Sequence, residues 1–196
     1  MIDVRELKES DLEFAKSLTD AEEWGNSMED WQRLLRVSVP LVACEGKELL
    51  GVTTAFDYGR LGMIGNVVVS SNSRGKGVGQ ALLKEAMKRL ESCKSVRVHS
   101  KMDVVSFYKD LGFMAEGMST VFRLDAGMKS FQPFVIDSDA NIVSAEGYWD
   151  DIVAMDKRQF GADRSKLLKE FNDYIPQCSF VALGEDGSVK GFIMAK

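Results

Sequence analysis

One histidine, three prolines and three cysteines in 196 residues already exclude several kinds of protein. Cys44, Cys93 and Cys178 are odd in number, far apart and outside metal-ligand spacing, so neither a disulfide framework nor a metal site is expected. They read as free thiols in a reducing compartment, used as small hydrophobes. No stretch reaches the ~18 consecutive apolar residues that a membrane helix needs. The N-terminus is charged from Asp3 onward and carries no apolar signal core. Both absences point to a cytoplasmic protein with no membrane partner. Basic excess is lacking too: 25 Lys and Arg stand against 30 Asp and Glu, a net charge of −5. Neither the first 125 residues nor the remainder is a basic module, which argues against nucleic acid as a partner. Proline and low-complexity runs are scarce while 11 phenylalanines are spread along the chain, so disorder is not expected.

What is present is an ordinary folded composition, 45% hydrophobic, with a length that suits one large domain or one and a half. Residues 2–7 suit a short strand. Ser10-Asp11-Leu12-Glu13 fits a capping box that opens a helix through Leu12, Ala15 and Leu18. Ser27-Met28-Glu29-Asp30 opens a second, through Trp31, Leu34 and Leu35. Residues 40–44, 49–56 and 63–69 are β-rich runs separated by turn signals, an antiparallel meander. An amphipathic helix follows, with Val78, Ala81, Leu82, Ala86, Met87 and Leu90 on one face. Residues 95–100 form a further strand, residues 103–111 a helix closed by Gly112, and residues 113–124 a returning strand. Gly127 and Pro133 mark a linker. Beyond it the order helix, helix, strand, turn, strand occurs again, Phe180-Val181-Ala182-Leu183 echoing Leu41-Val42-Ala43-Cys44.

The chemistry concentrates in Arg74-Gly75-Lys76-Gly77-Val78-Gly79, between a strand and a helix. Three glycines in that span permit positive φ, and successive N–H groups backed by a helix N-terminus form an anion cradle for phosphate or pyrophosphate. A Walker loop is excluded, because Lys76 is followed by Gly77 and not by a hydroxyl residue. A dinucleotide fingerprint is excluded by the glycine spacing and by the antiparallel strands before it.

The remaining pattern, Val69, Arg74, Gly77 and Gly79, resembles the pyrophosphate loop of the GNAT N-acetyltransferase superfamily. Phe107-Tyr108-Lys109-Asp110-Leu111-Gly112-Phe113 resembles that superfamily's Tyr-x-x-x-Gly-Phe signature. Trp24-Gly25-Asn26 with Asp30-Trp31, Ile64 to Val69, and Phe160 to Ser165 are similar to a subfamily with a second, acetyltransferase-like C-terminal domain. The resemblance implies an α/β (α+β) GNAT fold, a mixed, mostly antiparallel sheet flanked by helices. It implies a complete acetyltransferase domain over residues 1–125 and a partial GNAT-like unit over residues 126–196.

It further implies transfer of an acetyl group from acetyl-CoA to a primary amine by direct attack in a ternary complex, without a metal. Arg74, Gly75, Lys76, Gly77, Val78, Gly79 and Gln80 would hold the cofactor's pyrophosphate, and Val69 its arm. Val67 N–H would face the thioester oxygen. Tyr108, a phenol that keeps its proton at neutral pH, would protonate the leaving thiolate. Trp24 reads either as an acceptor wall, with Asn26 beside it, or as a core tryptophan. The general base stays open among Asp57, Glu22, Glu23, His99 and a water chain, since no carboxylate lies within residues 63–69. The bland reading of His99 is a strand residue facing solvent. Two other functions fit the same residues: an inactive acyl-CoA-binding sensor or scaffold, and an interaction protein whose exposed strand edge at residues 189–195 pairs with a second copy.

Overall fold

The computed structural model describes residues 1–120 and 141–194. Its N-terminal elements are β1 (Asp3–Glu6), α1 (Leu12–Ala21), α2 (Met28–Val37), β2 (Val39–Glu45), β3 (Glu48–Asp57), β4 (Leu61–Val69), α3 (Val78–Arg89) and β5 (Ser95–Val98). The strands lie in sequence order in one sheet. Those from β1 to β4 are antiparallel and β5 joins β4 in parallel. This is the mixed, mostly antiparallel sheet flanked by helices that the sequence predicts.

Strands β2 and β3 are buried almost end to end, so both sheet faces are covered. Val52 and Val68 pack on one face with Leu12, Ala15 and Leu18 of α1 and Trp31 of α2. Helix α3 covers the other face: a Cβ added at Gly51, the neighbour of Val52, would lie 3.3 Å from Leu82. Trp31 Nε1 donates to Thr19 Oγ1 at 3.2 Å, which satisfies the polar atom of a wholly buried indole. Helix α2 starts at Ser27–Asp30 as expected, and the start is a capping box: Asp30 N–H donates to Ser27 Oγ at 3.1 Å and Ser27 N–H to the Asp30 carboxylate at 3.0 Å.

The cap before α1 is not the expected Ser10. The Asp11 carboxylate accepts from Lys8 N–H at 2.8 Å and is gripped by the Arg5 guanidinium at 2.7 and 3.1 Å. Ser10 lies inside the 3-10 turn Glu9–Asp11 that these bonds close, so it does not stand at the N-cap of α1. On α3 the buried face runs through Val78, Leu82, Leu83 and Ala86 to Leu90, whereas Met87 is 40% exposed. Leu83 thus takes the place expected for Met87.

Among the described residues, 1–99 with 142–194 form one compact unit, and 100–120 with Asn141 another. In the second unit, α4 (Val105–Asp110) ends where Gly112 takes φ +89°, with Phe113 N–H donating to Tyr108 O at 3.0 Å. Residues 113–120 do not form the expected strand. The rest of that strand, the linker at Gly127 and Pro133, and the expected boundary at residue 125 lie outside the described residues.

The C-terminal elements are β6 (Asn141–Ser144), α5 (Trp149–Phe160), α6 (Ser165–Tyr174), β7 (Ser179–Leu183) and β8 (Val189–Met194), with the strands in that order in a three-stranded sheet. Strand, helix, helix, strand, strand is the order of β1 to β3 as well. A second core gathers Ala145, Ile152, Leu168 and Val181.

Cationic side chains join these elements to the earlier ones. The Arg33 guanidinium lies 4.8 Å from the ring centre of Tyr174 and 5.2 Å from that of Phe171. Arg36 forks onto Glu170 at 2.7 to 3.1 Å. The β3–β4 turn is held through Tyr58, which stacks on Phe56 and meets Phe160 edge-on at 5.6 Å. Arg164 covers Phe160 at 4.3 Å and pairs with the buried Asp156 at 2.7 to 3.2 Å.

Burial pushes the Tyr58 phenol up to about 12, against the opposing pull of Arg164. Tyrosine in the unfolded chain ionises near 10, so the unfolded state takes up the negative charge first. The contribution of Tyr58 is therefore fully present below about pH 10 and is lost as pH rises toward 12. Urea midpoints between pH 9 and about 11.5 should fall less steeply for Tyr58→Phe than for the wild type.

Candidate active site

The site begins where β5 leaves β4. The two pair over four positions only, from Leu61 opposite Ser95 to Ile64 opposite Val98. β4 then continues to Val69 with β3, among the described residues, alone as its strand partner. Within that stretch Thr53 faces two residues, Asn66 and Val67, because Thr54 pairs with Gly65 and Val52 with Val68. This is a β-bulge. Asn66 takes φ +50°, a conformation asparagine tolerates better than most residues, and its amide donates to Thr54 Oγ1 at 3.4 Å. Thr53 Oγ1 donates to Gly65 O at 3.0 Å, and both threonines are wholly buried. The bulge is therefore pinned from below, and among the described residues no strand lies beside the β5-facing edge of residues 65–69.

The chain leaves β4 through one 3-10 turn, Ser71–Ser73, and enters the glycine loop. Gly75 and Gly77 take φ +73° and +83°, and α3 begins at Val78. Among the described residues, the N–H groups of residues 75–80 donate to no protein acceptor. They line the positive end of a 12-residue helix, with Lys76 exposed beside them. Arg74 bends back: its Nε donates to Val69 O at 3.1 Å, and its Nη2 pairs with Glu22. That ion pair brings the α1–α2 loop, with Trp24 and Asn26, beside the glycine loop. Trp24 is 37% exposed, so it is not the core tryptophan of this region; Trp31 is.

His99 follows Val98 directly, level with the start of the bulge, and is exposed. Asp57 lies elsewhere. It is opposite Gly62, five residues before Val67, or ~17 Å along the strand. It closes the β3–β4 turn, accepting from Gly59 N–H at 2.7 Å and from the Cys93 thiol at 3.4 Å. Burial and then Asp57 push that thiol's pKa up. The structure thus gives Asp57 a turn-closing role and does not bring it to the loop.

Tyr108 belongs to the other unit. It is buried, and its ring meets Phe107 and Phe113 edge-on at 5.2 and 5.8 Å. Burial pushes its phenol up, which keeps the proton on the oxygen at neutral pH. Sequence reasoning missed the Glu22–Arg74 pair and the threonine support of the bulge. Gly65-Asn66 inside a strand was the available signal for the bulge.

Among the described residues no cluster of three or more His, Cys, Asp and Glu could hold a metal ion, and no helix is long and apolar enough to cross a membrane.

Residues 5–124 match the family model for the acetyltransferase (GNAT) domain, and the chain belongs to that family. It is 27% identical, over 157 residues, to the uncharacterized N-acetyltransferase YitH of Bacillus subtilis (strain 168). That match takes in 80% of this chain and 51% of YitH, so the chain spans about half the length of the curated relative it matches. A Trypanosoma brucei acetyltransferase structure, 26% identical, aligns along its whole length with 63% of this chain at a TM-score of 0.53. A Pyrococcus horikoshii structure, 18% identical, covers 99% of this chain with 67% of its own at a TM-score of 0.70, a likeness of fold.

A loop glycine and a strand glycine differ in what they tolerate. A Cβ at Gly77 meets nothing within 4 Å, so Gly77→Ala meets only the left-handed backbone penalty, about 1 kcal/mol. A Cβ at Gly51 would lie 2.7 Å from Val68 O and force β3 from β4. Urea denaturation should rank Gly51→Ala as clearly the more destabilising of the two.

Proposed function

We propose that this protein is an N-acetyltransferase that moves the acetyl group of acetyl-CoA to a primary amine by direct attack in a ternary complex. The observation that carries the reading is the departure of β5 from β4 after Ile64 beside a loop whose N–H groups are unpaired. Those two features suit a ligand with a diphosphate at one end and an amide-bearing arm at the other. Acetyl-CoA supplies the activated acyl carbon.

The N–H groups of Gly75, Lys76, Gly77, Val78, Gly79 and Gln80 hold the diphosphate, with Arg74 and Lys76 adding positive charge. The open β4 edge at Val69 pairs with the arm's amides, as a neighbouring strand would. Val67, on the bulge, aims its N–H at the thioester oxygen and stabilises the charge that develops there. The amine nitrogen bonds to the thioester carbon, the carbon–sulfur bond breaks, and Tyr108 gives its proton to the departing sulfur. The amine's proton leaves through water or through a group on the acceptor side, where His99, Glu22 and Glu23 lie. Trp24 and Asn26 wall that side. Asp57, at the far turn, has no part in this reading.

The three cysteines of the chain are free, which suits a reducing, cytoplasmic compartment. The repeated element order supports a partial GNAT-like unit in the C-terminal residues. Outward-facing Phe180 and Ile193, paired across β7 and β8, support association with a second copy along the outer strand β8. One observation favours a second reading, a CoA-binding sensor: residues 61–69 carry no carboxylate.

Calorimetry should show CoA binding, and acetyl-CoA with a panel of primary amines should give CoA release. Tyr108→Phe should lower turnover about 100-fold with CoA affinity within about twofold of the wild type. CoA binding with no turnover on any amine would favour the sensor.

A further inference from the structure

Glu22 and Arg74 stand 52 positions apart, yet one guanidinium joins three elements. It pairs with Glu22 in the α1–α2 loop, donates to Val69 O at the end of β4 at 3.1 Å, and belongs to the glycine loop itself. The α1–α2 loop is not relaxed beyond this tie. Glu23, a non-glycine residue, takes φ +56°, and Gly25 takes φ +68° on the other side of Trp24. The Arg74 side chain is 58% exposed and that of Glu22 22%, so the pair sits at the mouth of the site, where a competing anion can reach the guanidinium.

We propose that Glu22 and Arg74 are a positioning pair that couples occupation of the glycine loop to the placement of the acceptor loop. The inference rests on the reading that the glycine loop takes the diphosphate of CoA. A diphosphate carries more negative charge than one carboxylate, so its arrival draws the guanidinium off Glu22. The loop carrying Trp24 and Asn26 then shifts. Occupation of the glycine loop and placement of the acceptor loop are thereby coupled, and the coupling is reciprocal. Neither side chain is asked to touch the reacting atoms.

The test uses protein labelled with 5-fluorotryptophan. Trp24, Trp31 and Trp149 give three fluorine resonances, and Trp24→Phe identifies the one from the loop. CoA is titrated into the wild type and into Glu22→Gln, which keeps the side chain's size and loses its charge. The Trp24 resonance should move on CoA binding in the wild type and lose most of that movement in Glu22→Gln, with Trp31 and Trp149 steady in both. Calorimetry should show CoA binding about two- to fivefold tighter in Glu22→Gln at low salt, because the guanidinium no longer leaves a surface ion pair. The difference should shrink at roughly 0.5 M NaCl. Unchanged circular dichroism and an unmoved Trp31 resonance check that the variant folds. Equal movement of Trp24 in both proteins, or none in the wild type saturated with CoA, overturns the coupling and leaves the CoA reading standing. A wild type that binds no CoA overturns that reading and the coupling with it.

Discussion

Everything distinctive about this site depends on one termination of pairing. β4 keeps β3 on one side along its length, but β5 on the other only as far as Ile64. An exposed strand edge is normally covered or blunted, because it templates association with any extended chain. Here the edge opens within the sheet, beside the glycine loop and the α1–α2 loop. Unmade backbone hydrogen bonds destabilise the protein by about 1 to 3 kcal/mol each where water is excluded. A ligand that presents amides at strand spacing would offset that cost, which is the property the proposed cofactor's arm has.

A sheet opened in this way needs support from other directions. The bulge at Asn66 and Val67 is pinned by two wholly buried threonine hydroxyls on β3. α1 and α2 cover one face of that strand and α3 the other. The far end of the β3–β4 hairpin is fixed by Tyr58 against Phe160, in a cluster that includes the Arg164–Asp156 pair. Helix α2, whose cap follows the Trp24 loop, is tied to α6 by Arg33 and Arg36. The C-terminal elements thus brace both the strand that carries the edge and the helix that follows the α1–α2 loop.

Features written in local periodicity were legible in the sequence. The three meander strands, α3 and the Ser27–Asp30 box follow from alternation, helical spacing and cap chemistry, which act over a few residues. The glycine loop was legible because its spacing is short and lies between a strand and a helix. Other features depart from the expected pattern where contacts outside it decide. Ser10 falls inside the turn that Asp11 closes with Lys8 N–H and Arg5. Met87 lost its core place to Leu83 because the sheet's shape, and not the helix alone, sets which residue is covered. Asp57-Tyr58-Gly59 carries a turn signal, and the Asp57 carboxylate closes that turn by accepting from Gly59 N–H. The Glu22–Arg74 contact spans the chain from the first helix pair to the glycine loop, and no local pattern announces it.

Charge raises a further constraint. The protein is net negative, yet its proposed ligand is a polyanion. Long-range attraction therefore cannot supply the binding, and the field that matters is local: the N-terminus of α3, its unpaired N–H groups, Lys76 and Arg74. Glu22 and Glu23 lie immediately beside them. The site thus holds opposite signs a few ångströms apart, the arrangement needed to seat an anionic donor and a cationic acceptor with their reacting atoms adjacent. At physiological salt such fields fade within ~8 Å, so each sign acts on the partner at its own side. Arg74 and Glu22 stand on the border between the two fields. In the proposed coupling an anionic donor competes with Glu22 for Arg74, so the first event at that border is electrostatic and precedes any contact with the reacting atoms.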